Sequence, residues 1–153
     1  QEHVLEMLAT ARDGKQFKAM IPAVAAYVRG QVSRIREGEL SADELVIIRK
    51  LSHRPEEYKA LVHHAVAADL LAKSGRSVRV GGKIEYIVTG RNKAVPRELA
   101  GDMTDYDTES YVDNTVRPIY MLLREFAIKY EDLLPGPRQT TLERYEKSVV
   151  CRA

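Results

Sequence analysis

The segment Leu45–Val88 constrains the fold of this chain more than any other part of the sequence. It begins with an apolar run, Leu45–Ile48, which is too short for a helix and predicts a β-strand. It ends at Ile84–Val88, where apolar and polar residues mostly alternate, as in a strand with one buried face. Between these runs, Val62–Lys73 is rich in alanine and leucine, and Gly75 follows it, which predicts a helix that ends there. A small sheet accompanied by a helix is therefore expected.

Long amphipathic helices are predicted before this segment. Residues 1–10 have apolar side chains at helical spacing, and a longer series from Phe17 to Ile35 advances in steps of mostly three and four residues. Pro22 lies within the longer series, so the helix either starts near it or is kinked there. Glu37–Gly38 closes the helix. Ser41–Glu44 has the spacing of a capping box and predicts one helical turn.

Another long helix is predicted after the segment, over residues 109–130. Asp107 or Thr108 would cap its start, and Pro118 would bend it. The sequence from Leu134 onward, Leu-Pro-Gly-Pro-Arg, indicates a break and then a tail. The predicted fold class is α+β and mainly helical, with long amphipathic helices around a small antiparallel sheet.

The charge of the chain is balanced overall but segregated along the sequence. The net charge is only +2 although 30% of the residues are charged, so any basic surface must be local. Seven basic residues fall between Lys73 and Glu98: Lys73, Arg76, Arg79, Lys83, Arg91, Lys93 and Arg97. An acidic stretch follows, so this segregation fits either one positive face or an ordinary solvated surface.

The order of these elements resembles the thumb region of archaeal-type family B DNA polymerases. Residues 106–112, Tyr-Asp-Thr-Glu-Ser-Tyr-Val, match a Tyr-Asp-x-Glu-x-Tyr-Val segment of that family, and Pro118 matches its proline-bearing helix. The resemblance implies a thumb domain over residues 1–134, helical over 1–40 and with a small sheet plus helices over 41–134. Residues 135–153 would form a C-terminal tail.

A thumb grips the primer–template duplex, whereas the chemistry takes place in a palm. The resemblance therefore implies part of a DNA-directed DNA polymerase, a nucleotidyltransferase, whose catalytic carboxylates and Mg²⁺ lie in a palm that is not present in this chain. Some archaea divide this polymerase between two chains, so a small subunit and a fragment are both compatible with the sequence. The expected partners are primer–template DNA, the palm and fingers, and a sliding clamp.

The polar segment after the first predicted strand is the strongest binding candidate. It offers hydroxyl, imidazole, phenol and ammonium donors within ten residues, which suits phosphate oxygens. The resemblance implies DNA-backbone contacts for this polar segment (the hinge), for one histidine of the following helix and for the turn after the second strand. The residues are Lys50, Ser52, His53, Tyr58, Lys59, His64, Lys93 and Arg97. Tyr58 and His64 are equally compatible with places in the core.

Two motifs suggest metal chemistry but have simpler interpretations. Asp105–Ser110 looks like the Asp-Thr-Asp-Ser signature of polymerase palms, yet no apolar strand flanks it, and its acidic residues suit a helix N-terminus. We interpret it as helix capping. His63 and His64 are adjacent, so on a helix their side chains point about 100° apart and do not easily share one ion. No catalytic or metal-binding residue is predicted.

The tail contains a pattern similar to sliding-clamp binding peptides. Gln139, Leu142 and Tyr145 match the glutamine, the aliphatic residue three positions on and the first aromatic residue. Glu146 stands where the second aromatic residue is expected, which should weaken binding. A tail with such a peptide would tether a polymerase to DNA.

A non-enzymatic helical adaptor, which binds a partner protein and the clamp, is the alternative function. A concave face that gathers Lys50, Lys59, Lys93 and Arg97 would favour the polymerase interpretation, and scattered positions would favour the adaptor. The single cysteine, Cys151, allows no disulfide within the chain and fits an intracellular protein. The resemblance implies a cytoplasmic, nucleoid location. No apolar run approaches the roughly 18 residues of a membrane span.

Overall fold

The computed structural model describes residues 2–103 and 105–136. Contacts divide the chain into two compact units. The described residues of ranges 1–33 and 115–153 form the first unit, and residues 34–114 form the second. The predicted domain bounds, a thumb over 1–134 and a tail over 135–153, stay a prediction.

The described residues form helices and strands whose bounds follow the sequence pattern in most places. In chain order they are α1 (Glu2–Ala9), α2 (Gly14–Glu37), β1 (Ile47–Lys50), α3 (His63–Lys73), β2 (Lys83–Gly90), β3 (Lys93–Pro96), α4 (Arg97–Ala100) and α5 (Thr108–Leu123). Short 3-10 helices lie at Pro55–Glu57, Arg124–Phe126 and Tyr130–Leu133. The predicted class, helical with a small antiparallel sheet, is confirmed.

The first unit is helical. Val24 and Val28, one turn apart on α2, are completely buried, as the apolar spacing of that helix predicts. Phe17 and Phe126 stack with their ring centroids 4.9 Å apart, and Arg29 donates a hydrogen bond of 2.7 Å to the carbonyl oxygen of Asp132. These contacts join the α2 part of the unit to the segment that follows α5.

The second unit contains a three-stranded antiparallel sheet in the order β1-β2-β3. Ile47 lies opposite Tyr86 and Lys50 lies opposite Lys83 in the first strand pair, and Val88 lies opposite Ala94 in the second. Helix α3 packs against β2 and β3, and it buries its small residues at Ala65, Ala67 and Ala68. Small side chains on the buried face allow a close approach between the helix and the sheet.

Two buried tyrosines stabilise the backbone of this unit. The Tyr111 hydroxyl donates a 2.6 Å hydrogen bond to the carbonyl oxygen of Leu45 and accepts one of 3.0 Å from the backbone N–H of Val88. The Tyr106 hydroxyl donates to the carbonyl oxygen of Ile35 at 2.6 Å. Burial raises the pKa of Tyr111 to about 12, because the anion would lose its hydration.

The structure corrects three predicted elements. The first strand is Ile47–Lys50 rather than Leu45–Ile48, because Leu45 is fully buried at the end of the Ser41–Glu44 turn, where its N–H bonds the carbonyl oxygen of Ser41 at 3.2 Å. A third strand occupies Lys93–Pro96, which was predicted as a turn. The last long helix ends at Leu123 rather than Tyr130, and Ala127 then adopts a left-handed φ of 60°.

Candidate nucleic-acid interface

The Tyr58 hydroxyl organises the polar segment after β1. It accepts hydrogen bonds from the backbone N–H groups of Ser52 at 3.1 Å and His53 at 3.4 Å. Its ring makes edge-to-face contacts with His53, at a centroid distance of 5.6 Å, and with His64, at 5.1 Å. Four of the predicted contact residues therefore meet in one place: Ser52, His53, Tyr58 and His64, the hinge cluster.

A short 3-10 helix shapes the loop between Ser52 and Tyr58. The backbone N–H of Arg54 bonds the Glu57 carboxylate at 2.9 Å, and the N–H of Glu57 bonds the carbonyl oxygen of Arg54 at 3.0 Å. These bonds close a tight loop that brings Tyr58 back beside Ser52. The side chains of Ser52 and His53 remain exposed, whereas Tyr58 is half-buried. Tyr58 thus combines a packing role with a position in a polar loop.

His64 is held in the neutral form by its surroundings. Burial lowers its pKa, and the electrostatic influence of the neighbouring Arg49 and His63 side chains lowers it further. A neutral imidazole presents one N–H donor and one acceptor, so near neutral pH His64 offers a hydrogen bond rather than a full charge.

Arg49 belongs to this neighbourhood although the sequence did not indicate it. Burial raises the pKa of Tyr86, and the Arg49 guanidinium partly lowers it again, which places the two side chains close together. Both residues lie on paired strands, Arg49 on β1 and Tyr86 on β2. The missed signal was the alternation along β1. This alternation shows which face of the sheet Arg49 occupies, but only when the strand is placed at Ile47–Lys50 rather than two residues earlier.

The turn between β2 and β3 lies beside the hinge cluster. His63, the first residue of α3, has its ring Nε2 3.0 Å from the carbonyl oxygen of Gly90, the last residue of β2. A cavity of about 320 Å³ is lined by Tyr58 and Leu61 on the hinge side and by Asn92 in the turn. The turn leads directly into Lys93, so the structure brings this lysine's backbone close to the hinge.

Several of the cations keep their charge available to a ligand. Within the described ranges, Lys50, Lys59 and Lys93 are exposed and form no ion pair or hydrogen bond through their side chains. Of the seven basic residues between positions 73 and 98, three have acidic partners: Lys73 with Asp69, Arg76 with Glu98, and Arg97 with Asp43. The other four, Arg79, Lys83, Arg91 and Lys93, have no such partner among the residues that the structure describes.

Arg97 is occupied within the protein. Its guanidinium donates to a single oxygen of the Asp43 carboxylate, from Nη2 at 2.9 Å and from Nε at 3.1 Å, and Nη1 donates to the carbonyl oxygen of Gly101 at 3.1 Å. The structure therefore holds Arg97 against Asp43 rather than in the hinge cluster. Its predicted contact with DNA stays a prediction, and such a contact would require the guanidinium to leave Asp43.

The acidic segment before α5 caps that helix. The Asp107 carboxylate accepts hydrogen bonds from the backbone N–H of Ser110 at 3.3 Å and from its hydroxyl at 2.9 Å. The capping interpretation of Asp107 is therefore confirmed. No three His, Cys, Asp or Glu side chains converge as metal ligands in the part of the chain that the structure describes, so the described residues do not fit the Mg²⁺ ions of a polymerase palm.

The predicted clamp-binding residues, Gln139, Leu142 and Tyr145, lie outside the described residues. Clamp binding therefore stays a prediction from the sequence. Among the described helices, none is both long and apolar enough to cross a bilayer.

The chain matches known proteins over most of its length. The family model for DNA polymerase family B matches residues 1–134 of this chain. The chain therefore belongs to the family B DNA polymerases, and the resemblance noted in the sequence is confirmed.

The relatives are archaeal DNA polymerases. The chain is 34% identical over 122 residues to DNA polymerase 2 of Aeropyrum pernix, which covers 76% of this chain and 15% of the relative. It is 33% identical over 140 residues to a DNA polymerase of Thermococcus kodakarensis, covering 87% of this chain and 8% of the relative. A solved structure, the family B DNA polymerase from the hyperthermophilic archaeon Pyrobaculum calidifontis, matches with a TM-score of 0.60 and 26% identity over 76% of this chain and 16% of that one. The chain thus spans a small part of the length of these proteins.

Proposed function

We propose that this chain is the thumb of a family B DNA polymerase and that its second unit grips primer–template DNA through the phosphate backbone. The observation that carries the proposal is the hinge cluster, where Tyr58 joins Ser52, His53 and His64 beside the turn that leads to Lys93. Hydroxyl, imidazole and ammonium groups all donate to phosphate oxygens, and such contacts fix position without reading sequence.

The proposed task of the chain is to position the duplex, not to carry out nucleotidyl transfer. A duplex held in register keeps the primer end where catalytic groups can act on it, which lowers the entropic part of the barrier. When bound in a palm, Mg²⁺ would supply the charge stabilisation for phosphoryl transfer. The palm and fingers, in the same chain or in a second one, are therefore proposed partners, and a nucleoid location follows from the same proposal.

Binding of the 153-residue chain to a primer–template duplex tests this proposal. Affinity should be measured by fluorescence anisotropy between about 50 and 300 mM salt, with and without the remaining polymerase segments. Each phosphate that a lysine or arginine neutralises adds about 0.9 to the negative slope of log affinity against log salt, so four such contacts would give a slope of about −3.6. Primer extension should require the added segments.

The outcomes separate the two functions considered. Salt-sensitive binding that tightens with the remaining polymerase segments supports the thumb. An absence of duplex binding in both conditions, with a chain whose circular dichroism shows it to be folded, overturns the thumb and leaves the helical adaptor. A sequence preference among duplexes of one length would contradict a backbone grip.

The tail is proposed to bind a sliding clamp through Gln139, Leu142 and Tyr145. An aliphatic and an aromatic anchor would share an apolar pocket on the clamp, and a tether of this kind raises the effective concentration of the polymerase on DNA. Replacing Leu142 and Tyr145 together by alanine should abolish binding to an archaeal clamp in calorimetry. Glu146→Phe should strengthen it, because it supplies the second aromatic residue. Unchanged binding in the double variant would rule out this peptide.

A further inference from the structure

Two lysines face each other on the surface of the sheet. Lys50 of β1 and Lys83 of β2 are directly opposed in the antiparallel register, and both are exposed. Side chains at directly opposed positions leave the same face of a sheet, with their Cβ atoms about 5 Å apart. Like charges in this arrangement lower stability. The pair is therefore unfavourable unless a third, negative group lies between the ammonium groups.

The protein itself does not supply that negative group within the described ranges. The next residue pair on the same face is Ile48 and Glu85. Glu85 forms no ion pair with Lys50 or Lys83, and Ile48 is 52% exposed. This end of the sheet face consequently presents two adjacent cations to solvent.

The backbone next to the two lysines is held by hydrogen bonds just beyond the ends of β1 and β2. The N–H of Leu51 bonds the carbonyl oxygen of Gly82 at 2.9 Å, and the N–H of Gly81 bonds the carbonyl oxygen of Leu51 at 2.7 Å. Leu51 itself is buried, which anchors the strand end immediately after Lys50. Because both lysines lie on paired strands, the backbone that presents them is already ordered. Binding a ligand there therefore costs little further backbone entropy.

We propose that Lys50 and Lys83 together clamp the phosphate backbone of the duplex, which makes Lys83 a further DNA-contact residue. The proposal rests on the proposed thumb function and extends its contact surface from the hinge cluster onto the outer face of β1 and β2. Phosphate oxygens between the two ammonium groups neutralise the repulsion that the free protein carries. The lysine pair thus lowers the stability of the free protein and raises its affinity for DNA.

Substitutions at position 83 test the clamp because they move stability and affinity in opposite directions. Lys83→Glu places a carboxylate opposite Lys50, so the midpoint of urea unfolding should rise while duplex affinity falls by about tenfold or more. Lys83→Gln removes one cation and should lower affinity roughly eightfold at 0.1 M salt, with the salt slope reduced by about 0.9. Lys83→Arg should restore the affinity. Lys18→Glu, an equal charge change on the exposed side of α2, is the control and should leave the salt slope unchanged.

The possible results separate the Lys50–Lys83 clamp from the thumb function on which it rests. A normal salt slope in Lys83→Gln, with a wild-type chain that binds duplex, overturns the clamp and leaves the thumb standing. An unfolding midpoint that does not rise in Lys83→Glu contradicts the close approach of the two lysines. A wild-type chain that binds no duplex, alone or with the remaining polymerase segments, overturns the thumb and the clamp together.

Discussion

The ring Nε2 of His63 lies 3.0 Å from the carbonyl oxygen of Gly90, and this contact joins the start of α3 to the end of β2. A carbonyl oxygen only accepts hydrogen bonds, so the ring must carry its proton on Nε2. The contact fixes the turn before Lys93.

His63→Pro should remove the hydrogen bond while leaving the helix intact. Proline suits the first position of a helix, and the backbone N–H of His63 has no hydrogen-bond partner within the described residues. Loss of the bond should lower the free energy of unfolding by about 1 kcal/mol. Duplex affinity should fall severalfold because Lys93 is no longer held in place. Amide chemical shifts of residues 90–93 report the position of the turn, and fluorescence anisotropy measures the duplex affinity. His3→Ala is the control. Unchanged shifts at Asn92 would show that His63 does not position the turn.

Tyr58→Phe should weaken DNA binding by loosening the hinge. The substitution keeps the ring contacts but leaves the N–H groups of Ser52 and His53 without their shared acceptor. We expect a loss of about 1 kcal/mol in stability and a decrease of about fivefold in duplex affinity. Tyr27→Phe is the matched control, since the Tyr27 hydroxyl makes no hydrogen bond to the described residues. Equal affinities for the two variants would remove the hydroxyl from the binding role.

The helices of this chain could be predicted because local rules govern their limits. Apolar spacing located α2, and richness in alanine and leucine located α3. Gly38 and Gly75 follow these helices with φ angles of 73° and 84°, which favour glycine. The capping box was equally local, and the backbone N–H of Ser41 does bond the Glu44 carboxylate at 3.0 Å. Where a few neighbouring residues decide the local structure, the sequence alone predicts it correctly.

The sheet and the site depend on contacts that are distant in sequence. Leu45 looks like a strand residue, but the hydroxyl of Tyr111, 66 positions later, holds its carbonyl oxygen outside the strand. The segment predicted as a turn forms β3, which ends in Pro96; an edge strand tolerates proline because one side of it needs no ladder bonds. The resemblance named the residues of the hinge cluster. Only the fold shows that the Tyr58 hydroxyl connects them and that the charge of Arg49 lowers the pKa of His64.

The stability of the protein should decrease in alkaline solution because of Tyr111. An unfolded tyrosine has a pKa of about 10, whereas burial raises that of Tyr111 to about 12. Because the folded state favours the protonated form, this stabilisation is complete below pH 10 and is lost as the pH rises towards 12. The loss should reach roughly 2 to 3 kcal/mol across that window.

Urea unfolding of the wild type and of Tyr111→Phe between about pH 8 and pH 11.5 measures this loss. The variant should be less stable by about 1 to 3 kcal/mol at pH 8, since the N–H of Val88 loses its acceptor. Its stability should also depend less on pH above about 10. Tyr120→Phe, at a half-buried tyrosine, should retain the wild-type pH profile. Parallel profiles for the wild type and Tyr111→Phe would contradict the raised pKa.

Asp43→Asn should strengthen duplex binding by releasing Arg97. Asp43 is 84% exposed, so its ion pair with Arg97 contributes little to stability and its loss should not unfold the chain. The freed guanidinium, together with the removal of one negative charge, should raise affinity about threefold at low salt. Glu39→Gln removes an equal charge from an exposed position of the same unit and controls for the change in net charge.

A double-mutant cycle with Arg97→Ala separates the two contributions. If Arg97 contacts DNA once it is free, Asp43→Asn should raise affinity in the wild-type background more than in the Arg97→Ala background. Equal increases in both backgrounds would mean that only net charge matters and that Arg97 braces the protein through Asp43 and Gly101. A larger increase in the wild-type background would add Arg97 to the DNA-contact surface. It would show that the ion pair with Asp43, and not the place of Arg97 in the fold, keeps the guanidinium from DNA.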